Sequence, residues 1–122
     1  MNRFNRIFIG SCLTLASFTA LAQDAPQINT SGNAFFAQCK PLNPSYSGCV
    51  FYVMGLTDGL QMLNATLEHM NTRRMFCLPS GAVTGEQTID MMIGYLQRNP
   101  EQRDYPTAVI LTYTFREAFP CR

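Results

Sequence analysis

Apolar positions along this chain recur at helical spacing almost throughout. Phe35, Phe36 and Cys39 fall near one side of a short stretch, Asn33–Cys39, with Ser31 or Asn33 as its cap. Lys40-Pro41 ends it, because the residue before proline is pushed out of the helical region. Residues 41–48, rich in Pro, Asn, Ser and Gly, read as a turn. Ser47 is then placed to cap a longer helix whose apolar stripe runs Cys49, Val53, Leu56, Leu60, Leu63 and Leu67. Gly55 and Gly59 sit inside that helix, each at a cost of about 1 kcal/mol relative to alanine, which predicts that another backbone comes close there. Asp58, between them, is the candidate for a buried hydrogen-bonding residue that pins a neighbouring loop.

Asn71–Arg74 breaks the pattern, and Pro79 and Gly81 punctuate an extended segment over residues 76–83. Thr84-Gly85-Glu86-Gln87 has the form of a capping box and opens a third helix with Ile89, Met92, Ile93 and Leu96 on one face. Asn99-Pro100 ends it. The last run, from Thr107 to Phe115, is rich in β-branched and aromatic residues, yet Ala108, Leu111, Thr112, Phe115, Ala118 and Phe119 fit a helical stripe. Pro106 suits a helix start and the run exceeds an ordinary strand, so a fourth helix is expected. The predicted fold is all-α, a small disulfide-stapled bundle of about four helices.

Residues 1–22 read as a cleaved export signal, with Arg3 and Arg6 before an apolar run and Ala20-Leu21-Ala22 as the cleavage pattern. Too few apolar residues precede Cys12 for a lipoprotein box. Nothing later is apolar for long enough to anchor the chain in a membrane. Residues 23–32 form a polar, flexible N-terminal segment, and residues 33–122 one helical domain. The full chain carries a net charge of +1, and loss of the two signal arginines leaves the mature chain slightly acidic. A chain so balanced has no basic field for nucleic acid.

An even set of cysteines in an exported domain, Cys39, Cys49, Cys77 and Cys121, reads as two disulfides rather than as chemistry. Four cysteines allow three pairings, and sequence does not choose among them. A hairpin of the first two helices would bring Cys39 to Cys49 and leave Cys77 for Cys121. Zinc is disfavoured, since no cysteines lie closer than ten residues and His69 is the single histidine. A thiol nucleophile would have to stay reduced beside His69 in an oxidising compartment, and His69 fits better as an exposed residue near a helix end. Scattered carboxylates, no phosphate loop and no Ser/His/Asp set leave no catalytic constellation, so no enzyme, cofactor or metal is expected.

Several segments taken in order carry a resemblance. Tyr52-Val53-Met54-Gly55-Leu56-Thr57-Asp58-Gly59 follows the second cysteine, and Phe76-Cys77-Leu78-Pro79-Ser80-Gly81-Ala82-Val83-Thr84 is followed by Gln87. Tyr95-Leu96-Gln97-Arg98-Asn99-Pro100-Glu101 and a terminal Phe119-Pro120-Cys121 complete the series. Over Phe35–Cys121 this resembles the Rap/Tai family of type VI secretion immunity proteins. The resemblance implies a small helical periplasmic protein, often a homodimer, that binds a secreted peptidoglycan amidase and blocks its active-site cleft. Partner specificity would then reside in the loops. The polar connection Arg98–Tyr105 is the first choice, with Arg98, Asn99, Glu101 and Arg103 as contacts and Tyr105 as an aromatic anchor. Arg73 and Arg74 are the second. The alternative is a periplasmic chaperone or envelope accessory protein, although a lone histidine gives it little means of sensing acid.

Overall fold

Among the described residues four helices form, α1 (Gly32–Gln38), α2 (Tyr46–His69), α3 (Gly85–Arg98) and α4 (Thr107–Ala118), with a 3-10 turn over Pro100–Gln102 between the last two. The structure is a computed structural model that describes residues 30–81 and 83–122. Among these there is no strand, only an isolated bridge between Ser31 and Pro106, so the expected all-α bundle is what forms. The expected export signal and most of the expected N-terminal segment lie outside the described residues. The end of that segment is tied down: the Thr30 carbonyl accepts from both the amide and the hydroxyl of Thr107, and α1 already begins at Gly32.

Each helix end has a local cause. Ser31 caps α1, its hydroxyl accepting from the Ala34 amide at 3.3 Å. Ser47 does not cap α2. That helix starts at Tyr46, two residues earlier than its expected first turn, because the Asn43 side chain accepts from the Ser45 amide and so turns the chain before the cap. α2 ends with Asn71 in the left-handed region (φ 54) while the amides of Asn71 and Thr72 close back on Glu68 and Leu67. Asparagine tolerates that conformation better than most residues. The capping box of α3 is complete, Thr84 and Gln87 each accepting from the other's amide. Pro106 is the N-cap of α4 rather than its first residue.

α3 packs against both α2 and α4 around a core that includes Phe35, Val53, Phe76, Leu96, Ile110 and Phe115. Two of the expected stripes are rotated. On α2 the buried positions are Cys49, Val53, Thr57 and Asn64, while Leu63 is exposed; on α4 they are Thr107, Ile110, Leu111, Thr114 and Phe115. Threonine hides well in such faces because Thr57, Thr88 and Thr114 return their hydroxyl protons to the carbonyl four residues back. No buried side-chain nitrogen or oxygen among the described residues lacks a partner.

The close backbone approaches are not at Gly55 and Gly59. A Cβ at either would meet nothing within 4 Å. They occur at Gly85, where a Cβ would fall 2.7 Å from Val50 Cγ1, and at Gly32, where it would strike Ile110 Cδ1 and the Arg103 carbonyl. Disulfides join Cys39 to Cys49 and Cys77 to Cys121, with Cα separations of 5.6 and 4.9 Å. The first closes the α1–α2 turn, and the second holds the segment before α3 to the C-terminus, where the Cys77 amide also donates to the Phe119 carbonyl.

Candidate partner-binding site

The connection from α3 to α4 is a built feature rather than a slack loop. Arg98, the last residue of α3, reaches Glu117 of α4 at 2.7 Å. The Asn99 amide and side chain both donate to the Tyr95 carbonyl, turning the chain into Pro100. The Gln102 side chain accepts from the Tyr95 hydroxyl at 2.6 Å. Arg103 donates through Nε to the Leu96 carbonyl at 3.0 Å, and its guanidinium lies 4.0 Å from the centre of the Phe36 ring. Carbonyls of Arg103 and Tyr105 accept from the Asn33 and Gly32 amides, and Asp104 accepts from the Asn33 side chain. The first turn of α1 therefore seals the connection from behind.

That bonding sorts the candidate contacts. Arg98, Asn99 and Arg103 each make one side-chain polar contact within the molecule, that of Arg98 at the surface. Glu101 is exposed, and Tyr105 is 45% exposed with the Tyr113 ring centre 6.5 Å from its own. Beneath them the Tyr95 phenol is held above its ordinary range, first by desolvation and then by the charges of Glu117 and Glu101 and by Tyr113, while the bond to Gln102 works against the rise. At the far end, Arg74 lies 3.9 Å from Glu68, and Arg73 and His69 are exposed.

Family comparison was decisive. The profile of the Rap1a immunity proteins matches residues 31–121, nearly all of the described structure. The chain belongs to the Rap1a immunity protein family. Comparison with curated proteins and with solved structures returned no match. An immunity protein acts on a secreted effector by binding it, and membership together with two disulfides points to an exported protein. No helix among the described residues is long and apolar enough to cross a membrane, and no group of three or more His, Cys, Asp or Glu is placed to hold a metal.

Within this immunity fold the structure shows features that periodicity did not. Asp58 is exposed, and the pin between α2 and the following segment is Asn64, whose side chain accepts from the Met75 amide at 2.9 Å and donates to the Phe76 carbonyl at 3.0 Å. Asparagine interrupting an apolar helix was the available signal. On the outer side of α2, Phe51 and Met62 are 74% and 75% exposed, with the open Gly55 and Gly59 between them. Tyr46, at the start of the same helix, has its phenol shifted up by desolvation and by the carboxylates of Asp90 and Glu86.

Proposed function

We propose that this chain is a periplasmic immunity protein that binds a type VI secreted peptidoglycan amidase and occludes its active-site cleft. The family match over residues 31–121 carries this reading. The geometry that supports it is the connection between α3 and α4, fastened to α1 at several points and offering Glu101 and Tyr105 outward on a rigid base. Rigid presentation lowers the ordering cost of binding, and an exposed tyrosine is a favoured anchor. Alanine at Tyr105 should weaken inhibition of the cognate amidase about tenfold or more without changing the fold, whereas alanine at Arg98 should act through the lost bond to Glu117. Titration of amidase activity with each variant checks this. Inhibition that survives alanine at both Glu101 and Tyr105 would remove the connection from the inhibitory surface.

The homodimer belongs to the same proposal, with the outer face of α2 as its seat. Phe51, Gly55, Gly59 and Met62 form a large-small-small-large series that reads alike in both directions. Two antiparallel copies of α2 related by a two-fold axis would therefore set Phe51 of one against Met62 of the other, with glycines at the crossing. The alternative chaperone reading draws on the same exposed apolar side chains. Suppression of client aggregation by the free chain, with no amidase inhibited, would favour it.

A further inference from the structure

Two hollows flank the segment between α2 and α3. The first, of about 370 Å³, runs between the Met54, Asp58 and Gln61 side of α2 and a wall that includes Leu78 and Val83. The second, of about 560 Å³, shares Pro79, Gly81 and Val83 with the first and is bounded on α3 by Asp90. No lysine, arginine or histidine lines either one.

The charges carried by the two helices that bound the hollows are acidic up to the end of α3. α2 and α3 carry Asp58, Glu68, Glu86 and Asp90, and no Lys or Arg before Arg98 at the very end of α3. Glu68 has Arg74 beside it, but among the described residues Asp58, Glu86 and Asp90 have no ion pair. The floor of the first hollow is of the same character. Thr57 and Thr88 give their hydroxyl protons to Val53 and Thr84, so toward the hollow they offer only oxygen lone pairs. A site with apolar walls, acceptors on its floor and an unpaired carboxylate at its rim fits a long aliphatic stem that ends in a cation.

We infer that these hollows dock a basic loop of the effector, one lysine or arginine laying its stem along Met54, Leu78 and Val83 with its charge at Asp58, and a second basic group meeting Asp90. This rests on the immunity reading and adds to it a contact remote in sequence from the α3–α4 connection. The segment is held at both ends, because Cys77 is bonded to Cys121 and Thr84 is locked in its capping box.

A probe that needs no effector tests the hollows. Acetyl-Ala-Arg-Ala-amide, titrated into the folded chain and followed by amide NMR shifts, should move the resonances of Asp58, Gln61, Ser80 and Thr88. The same peptide with citrulline, which keeps the shape and loses the charge, should bind about threefold more weakly or worse, and the double substitution Asp58→Asn, Asp90→Asn should bring the arginine peptide down to that level. Equal binding of the two peptides, shifts confined to other surfaces, or no shifts at all overturns the docking assignment. Asp58→Lys is then measured against the exported amidase that the chain inhibits, and affinity equal to wild type overturns the effector as the occupant. A chain that passes the peptide titration but inhibits no amidase refutes the proposed function and this choice of partner, and leaves the cation-binding hollow standing.

Discussion

Asn64 shows how much one side chain decides. It sits on the buried face of α2 at a position that a helical stripe would give to leucine, and its amide replaces the missing strand partner for the backbone of Met75 and Phe76. Phe76 is fully buried against Phe115, with ring centres 5.1 Å apart, so its carbonyl has no easy route to water. Alanine at Asn64 leaves that carbonyl and the Met75 amide without their partner, which predicts a loss of about 1 to 3 kcal/mol. Urea denaturation of the variant is the check, and an unchanged midpoint would mean that water satisfies both groups. Arg103 makes the opposite point at the same scale. Its charge marks it as a partner contact, and its guanidinium is also held between the Leu96 carbonyl and the Phe36 ring.

At the scale of the element, α2 carries two glycines for which the monomer gives no packing reason. Both are exposed within a continuous helix, and both could accept a methyl group without contact. Gly55→Ala and Gly59→Ala should therefore each raise the stability of the isolated chain, by up to about 1 kcal/mol. Thermal unfolding measured in dilute solution reads this directly, and destabilisation by either would show that the helix needs glycine for its own geometry. Gly85 provides the contrast. It starts α3 against Val50, and alanine there would have to displace that side chain.

For the whole molecule, the two disulfides and the arrangement of faces matter together. Each cross-link adds about 2 to 4 kcal/mol by restricting the unfolded chain, more for the longer loop, and these closures span 10 and 44 residues. So stapled, the bundle can leave Phe51, Met62 and Met70 on its surface and remain folded. If the outer face of α2 pairs with a second copy, sedimentation equilibrium should show a dimer that tightens with concentration. Met62→Lys should then sediment as a monomer and unfold like the wild type in solution dilute enough for both to be monomeric, since that side chain contributes nothing to the core. A wild-type chain that stays monomeric at every concentration would send the homodimer reading away and leave the face to another partner.

Much of the local architecture was legible in the residues themselves. Thr84 and Gln87 announce the start of α3, Ser31 is one of the two caps offered for α1, and Asn99-Pro100 announces the end of α3, because caps and proline act over a single turn. The resemblance carried by the Cys77–Gln87 segment and the closing Phe-Pro-Cys likewise pointed to the family that the profile match established. What needed the fold was any property that depends on a neighbour far away in sequence. Rotation of the α2 and α4 faces, the sealing of Arg98–Tyr105 by α1, the exposure of Asp58 and the emptiness around Gly55 and Gly59 all follow from where other helices lie. Periodicity states that a helix has an apolar side. Only the packing of α3 between α2 and α4 decides which residues that side contains, because burial is a property of the pair and not of the strip.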